Sequence, residues 1–261
     1  MLTIARRGAI VEVQLNRPEV RNAFAPPMID ALTRWAREAA EDTSLRAAVL
    51  SGAGPAFCAG ADLRWMREMR DYDEAANLGD AGALAAMFDA LADVPCPLVA
   101  RLQGAAIGGG GGLLAVCDHV VAAEDAVVAF TEVHIGLLPA VIAPYVMRRI
   151  GSSAARSLFL TGRRITAAQA QRLGLVHDVV ANDDLDMAVA RVVDEVLRGA
   201  PSAHRATKRL LASLDATSPE VAARTVLAIA TQRVAEEGQE GLSAFLERRE
   251  PSWRTSTPDA S

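Results

Sequence analysis

Residues 104–118, GAAIGGGGGLLAVCD, carry five consecutive glycines, Gly108 to Gly112, with apolar residues on both sides. A flexible linker would surround such a run with serine and other polar residues. Here Ala105, Ala106 and Ile107 precede it, and Leu113, Leu114, Ala115 and Val116 follow. Glycine in that setting lets a backbone approach something closely. The stretch CPLVARLQG before the run reads as a strand, and the run opens a helix. Strand, glycine turn and helix in that order aim the unpaired N–H groups of a helix N-terminus at negative charge. A phosphate-binding P-loop would end in Gly-Lys-Ser/Thr, where this chain has Leu113-Leu114, and no frame of the run supplies the glycines of a dinucleotide fingerprint. An oxyanion site is the chemistry that remains. It requires a second donor, and GPAFCAGADL, residues 54–63, offers one: another strand exit, small residues, then a helix start near Asp62. Together the two loops point to two N–H groups converging on one oxygen.

Those loops need a frame. GAIVEVQLNRP alternates like a strand and stops at Pro18; PPMIDALTRWAREAAED has helical spacing behind two prolines suited to a first turn; LRAAVLSGAG is a buried-strand run. Residues 72–93 read as an alanine-rich helix, while DHVVAA and AVVAF read as short strands. From residue 139 onward the pattern is mostly helical: APYVMRRIG, SAARSLFLTG, TAAQAQRLG, then 183–199, 201–214 and 218–246. This is an α/β core followed by helices, with no internal repeat and a disordered look only in the tail RTSTPDAS.

Bulk properties bound the partners. The chain has 261 residues, 51% of them hydrophobic, enough for a large core and an oligomer interface. Its net charge of −5, from 27 basic and 32 acidic residues without a basic block, argues against nucleic acid. Cys58, Cys96 and Cys117 make no disulfide framework and no CxxC motif, as expected in a reducing cytoplasm. MLTIARRGAI has no long apolar stretch, and no run of about 18 apolar residues occurs elsewhere, so no membrane partner is expected.

The ordered motifs resemble the enoyl-CoA hydratase/isomerase family, the crotonase superfamily, over nearly the whole chain. LNRPEVRNAF looks like that family's first coenzyme A contact; GAGPAFCAGADL and PLVARLQGAAIGGGGGLLAVCD look like its two oxyanion loops; FTEVHIGLLPA resembles its second glutamate segment, and TGRRITAAQAQRLGLVHDVV a later signature. The resemblance implies a crotonase-type spiral of ββα units over residues 1–195. It implies a helical C-terminal region, residues 196–261, that builds a homotrimer or a dimer of trimers. It also implies an acyl-CoA thioester as substrate, no separate cofactor and no metal. By position, the oxyanion donors are the backbone N–H groups of Ala61 and Gly109. The resemblance further implies a wider binding set of Arg21, Ala23, Ala59, Gly60, Asp62, Leu63, Ile107, Gly112, Thr131, Glu132 and Leu137, with residues 64–95 shaping the acyl pocket.

One family glutamate is missing, because Gly112 stands at its position; the other matches Glu132, among the apolar Phe130, Val133 and Ile135. Such surroundings are expected to raise a carboxyl pKa toward neutrality. Three readings follow. Glu132 alone serves a hydratase, as in the GGGxGL branch that resembles methylglutaconyl-CoA hydratases; or it shuttles a proton between carbons, as in enoyl-CoA isomerases; or the chain is an inactive, thioester-binding paralogue. The wording FTEVHIGLLPAVIAPYV favours the first. A glycine at 112 is further expected to leave room for a branched or carboxylated acyl group.

The other conspicuous residues take plainer roles. His119, His134, His177 and His204 lack metal-ligand spacing and are expected to face solvent or to cap structure; Cys58 is expected to pack rather than react. Arg21, Arg64 and Arg67 could meet coenzyme A phosphates. Trp65, Met66 and Met69 follow a helical spacing that serves either an acyl pocket or the core, and Asp62 and Asp118 suit helix ends.

Overall fold

In the computed structural model, residues 1–69, 71–213, 235–247 and 249–255 are described. The strands are β1 (Leu2–Arg7), β2 (Ile10–Leu15), β3 (Ala47–Gly52), β4 (Leu98–Leu102), β5 (Ala105–Ile107), β6 (His119–Ala123), β7 (Val127–Ala129), β8 (Ile165–Thr166) and β9 (Asp178–Val180). The helices are α1 (Pro26–Glu41), α2 (Leu63–Met69), α3 (Glu74–Ala92), α4 (Gly109–Val116), α5 (Ala143–Thr161), α6 (Ala167–Arg172), α7 (Leu185–Leu197), α8 (Pro201–Ser213), α9 (Glu236–Glu247) and α10 (Ser252–Thr255).

A six-stranded sheet has the order β1-β2-β3-β4-β6-β9, parallel except for the β1–β2 hairpin, and a small sheet has the order β5-β7-β8. After β4 the chain steps to β5 and then into α4; after β6 it steps to β7 and then toward α5. This is the ββα repeat expected of the chain. The segment after β3 takes the same step without a full strand, through a single parallel bridge from Cys58 to Ala106. β2 buries Val11, Val13 and Leu15 in strict alternation, while β3 and β4 are buried on both faces, as strands covered by helices on either side must be. α7 packs on β3, β4 and β6, while α1 packs on α3, α3 on α4 and α4 on α5. α1 turns Met28, Ile29, Leu32, Trp35 and Ala36 inward, at the spacing of one helix face.

Some elements differ from the sequence reading. β1 is a mostly exposed edge strand, so it has no buried alternation to betray it. β5 is three residues long and separates β4 from the glycine run. β8 and β9 interrupt the region read as helical. α5 contains both expected helical stretches, which meet at Gly151, where φ is 76°, and it ends at Gly162 in the left-handed conformation. Of the helix expected over 218–246, residues 218–234 lie outside the described residues, and α9 is helical. Likewise 256–261 of the tail lie outside them, while Arg254 and Thr255 close α10. Arg46, at the head of β3, donates to the carbonyls of Gly199 (3.0 Å) and Trp253 (2.7 Å), fastening the end of the chain to the sheet.

The turn between β2 and α1 fixes the loop that leaves β3. Arg21 and Asn22 are both left-handed, with φ of 54° and 56°, a conformation that Asn tolerates better than most residues. Asn22 is completely buried. Its Oδ1 accepts from the Arg17 N–H at 2.8 Å, and its Nδ2 donates to the Ala53 and Ala56 carbonyls at 2.8 Å each. Asn22→Ala leaves those three groups unpaired and adds left-handed strain, so we expect a loss of about 3 kcal/mol in urea unfolding at unchanged m. Asn22→Gly relieves the strain alone and should recover only the smaller part; a full recovery would show that the hydrogen bonds are dispensable.

Candidate active site

Three backbone segments run side by side in register. Cys58 bridges Ala106, and Ala106 pairs with Val128. The Cys58 N–H donates to the Ala105 carbonyl at 3.0 Å, and the Ile107 N–H to the Cys58 carbonyl at 2.9 Å. Three residues further along each segment stand Ala61, Gly109 and Thr131, with Glu132 next. Parallel register therefore brings together residues far apart in the chain. Ala61 is exposed and Gly109 partly so. Neither N–H donates a hydrogen bond within the described residues, while Phe24 bridges Ala61 on its other side. Gly109 is the first residue of α4, where an unpaired N–H and the positive end of the helix dipole coincide.

The glycine run admits these close approaches. Gly108, with φ of 54°, donates its N–H to the Ala129 carbonyl at 2.7 Å, and a β-carbon on it would lie 2.9 Å from Glu132 Oε1. β-Carbons on Gly109, Gly110 and Gly111 would lie 2.7 Å from Phe24 Cε2, 2.5 Å from the Cys58 carbonyl oxygen and 2.6 Å from Phe130 Cε1. The room expected at Gly112 is not there. A β-carbon at 112 would come within 2.4 Å of Ile142 Cγ2 and 3.0 Å of Phe88 Cε1, so an isoleucine and a phenylalanine occupy the place of the absent side chain.

Glu132 opens a single 3-10 turn, Glu132–Ile135, after β7. Its carbonyl accepts from the Leu137 N–H at 3.0 Å, and His134 Nε2 donates to the Thr161 carbonyl at 2.9 Å, which ties the turn to the end of α5. Glu132 Oε2 is buried and without a hydrogen-bond partner. Burial pushes the carboxyl above the ordinary glutamate range, offset only in part by the residue's own backbone N–H. Asp62 is treated in the opposite way. Burial would raise its pKa, yet the Arg64 N–H at 2.8 Å and Arg17 Nη2 at 2.6 Å hold it below the usual carboxylate range. Arg17 also donates to the Ala23 carbonyl at 2.9 Å, locking the first loop to the turn before α1.

Sequence reasoning named the loops and Glu132 but missed Arg17, Asn22, Phe24, Phe88 and Ile142. The first three lie in the quoted LNRPEVRNAF motif, which was the available signal. Ala23 and Gly60 are buried, Ala59 and Ile107 partly so, and Leu63 and Leu137 are exposed beside the loops. Asp62 has both its carboxylate and its N–H engaged. Arg21, Arg64 and Arg67 are exposed, and Trp65 is core, donating from Nε1 to Asp80 at 3.2 Å. Cys58 is buried, its thiol pushed up to about 12, so it packs as expected. His134 is exposed, as expected, whereas the other three histidines are less open. His119 stacks on His177 at 4.5 Å and pairs with Asp178 at 2.8 Å; half-buried His177 accepts the Val120 N–H at 2.9 Å, and burial lowers its pKa to about 4. His204 is half-buried as well. Asp118 follows α4 and braces β4, accepting from the Leu98 N–H at 2.7 Å and from Lys208 at 2.6 Å.

Comparison with known proteins bears on the family and the fold. The profile of the enoyl-CoA hydratase/isomerase family matches residues 5–256. 2,3-Dehydroadipyl-CoA hydratase of Escherichia coli is 34% identical over 259 residues, covering 97% of this chain and 98% of that protein. An enoyl-CoA hydratase of Shewanella pealeana superposes with a TM-score of 0.92 at 38% identity, covering 97% of this chain and 95% of that one. One from Mycobacterium smegmatis gives 0.90 at 34%, covering 97% and 98%.

A half-buried carboxylate with one oxygen left without a partner destabilises the fold that carries it. Because its folded pKa is raised, the folded state holds the proton more tightly than the unfolded chain. Glu132 is therefore neutral and harmless below the ordinary glutamate range, and its cost is fully present above its raised pKa. Glu132→Gln should accordingly stabilise the protein at neutral pH, on the order of 1 kcal/mol. The gain should shrink as pH falls through that window. Thermal melts of both proteins between neutral and mildly acidic pH check this, and a gain that persisted in acid would refute it.

Proposed function

The chain belongs to the enoyl-CoA hydratase/isomerase family of the crotonase superfamily, and on that footing we propose that it adds water across the 2,3 double bond of an enoyl-CoA thioester with Glu132 as its one acid–base group. The observation that carries this reading is the buried, unpartnered Glu132 Oε2, one residue past the level at which the free N–H groups of Ala61 and Gly109 emerge. In the proposed reaction those two N–H groups receive the thioester oxygen. Glu132 takes a proton from water as the water oxygen bonds to C3, and the electrons of the double bond move onto the thioester oxygen as an enolate. The protonated Glu132 then returns its proton to C2 as the enolate collapses. Every atom of the water ends in the product, and one carboxylate with a raised pKa serves as base and then as acid. The reaction is redox-neutral and uses no cofactor beyond the coenzyme A of the substrate. Among the described residues, no group of His, Cys, Asp and Glu is placed to hold a metal.

For the acyl group we favour a branched or glutaconyl-type chain. Its support is the resemblance to the GGGxGL branch and a relative named for a dehydroadipyl thioester. Exposed Arg21, Arg64 and Arg67 suit coenzyme A phosphates. A homotrimer or dimer of trimers is supported by exposed Ile135, Leu137 and Leu138, next to Glu132, and by exposed Met147 and Leu160 on α5, which packs against that turn. A cytoplasmic setting fits three buried free thiols, and no helix among the described residues is long and apolar enough to cross a membrane.

Two measurements test the reading. In a spectrophotometric screen of 2-enoyl, 3-enoyl and branched glutaconyl thioesters, hydration removes the conjugated absorbance. Its appearance from a 3-enoyl thioester instead would make Glu132 an isomerase shuttle. Glu132→Gln should lower turnover by about 10²–10⁴ while thioester binding survives. For the donors, Gly109→Ala and Gly109→Pro both place a β-carbon against Phe24, but only proline removes the N–H. The proline variant should be slower than the alanine variant by about 10²–10³. Equal rates would show that Gly109 is not a donor.

A further inference from the structure

Gly112 lies one helical turn beyond Gly108, its N–H donating to the Gly108 carbonyl at 3.2 Å, so the two positions share a face of α4. Over Gly108 stands Glu132, and over Gly112 stands Ile142. Both belong to the connection from β7 to α5, where Ile142 is the residue that precedes the helix. Ile142 is held in place. It is 3% exposed, with Cγ2 at 2.4 Å and Cβ at 3.0 Å from where a Gly112 β-carbon would sit. Phe88, fully buried, closes the same spot and cannot retreat, since it meets Phe24 edge-on at 6.4 Å and lies 5.7 Å from Tyr145, whose hydroxyl donates to Asp89.

We propose that Ile142 determines the specificity of this site: it closes the site one turn beyond Glu132, holds it to a single carboxylate, and limits how far an acyl group reaches along that face of α4. The β-carbon of a second acid at 112 would be pressed against methyl and ring carbons, so glycine and isoleucine there form one complementary unit. The wall is apolar. The acyl substituent that abuts it is therefore a hydrocarbon, and a carboxylate on a glutaconyl-type chain must point elsewhere. The substrate half of the proposal rests on the hydratase reading, whereas the packing half stands without it.

A mutant cycle on the full-length protein tests both halves. Gly112→Ala alone should lower the melting temperature and reduce kcat/KM about tenfold, whereas in an Ile142→Ala background the same change should cost little. Ile142→Val, which keeps Cγ2, should give no relief. Ile142→Leu, which removes Cγ2 at constant volume, should give relief and serves where the alanine variant folds poorly. Additive effects across the cycle overturn the packing half. For the substrate half, Ile142→Ala should shift kcat/KM about tenfold toward bulkier apolar enoyl thioesters relative to crotonyl-CoA. An unchanged preference overturns it. If the wild type turns over no thioester, the hydratase reading and the substrate half fall together, while the melting cycle still decides the packing half.

Discussion

Four consecutive residues of α4 have a neighbour standing where a β-carbon would be: Phe24 beside Gly109, the Cys58 carbonyl beside Gly110, Phe130 beside Gly111 and Ile142 beside Gly112. A helix ordinarily keeps its neighbours away with its own side chains. Here other segments supply the packing, and the bare backbone sits flush against the loop leaving β3. Glycine in a helix costs roughly 0.5–1 kcal/mol each relative to alanine. Burial of Leu113, Leu114 and Val116 in the following turn of the same helix offsets that cost. The result is two backbones held in parallel register, with the N–H groups of Ala61 and Gly109 at the same level and neither engaged within the described residues. A side chain at Gly110 would push the helix off the loop leaving β3.

The two carboxylates of the region, Asp62 and Glu132, sit in opposite environments. Asp62 has a guanidinium, a backbone N–H and a depressed pKa, and it locks the first loop to the turn before α1. Glu132 has an unpartnered oxygen and a raised pKa. Exchanging these environments would disable both, since a neutral Asp62 would release Arg17 and an ion-paired Glu132 would hold no mobile proton near neutral pH. The chain thus places its stabilising interactions around the site and leaves an oxygen of the proposed acid–base group unsatisfied.

The turn that presents Glu132 is rigid for reasons outside the site. His134 fastens it to the last carbonyl of α5, that of Thr161, and Gly162, left-handed and without a side chain, leaves space for the imidazole. At the other end, Gly108 hydrogen-bonds the Ala129 carbonyl as β7 ends. The turn that carries the carboxylate is therefore held by backbone and imidazole contacts, while Oε2 itself has no partner.

The sequence alone determined what is written in local periodicity and local chemistry. The alternation in Ile10–Leu15, the amphipathic face of Pro26–Glu41, the strand–glycine–helix order around Gly108–Gly112 and the apolar setting of Glu132 all depend on residues within a turn or two of one another. Short or exposed strands such as β1 and β5 carried too little of that periodicity to be seen. Only the tertiary structure decided which atoms stand over each glycine, which carboxylate keeps a partner, and that Ile142 fills the place left at Gly112. Those outcomes come from parallel register among segments that begin near Cys58, Ala106 and Val128, with tens of residues between the first two. A glycine in a sequence records that a side chain is missing; whether the space is open or already filled is settled by the segment that packs against it.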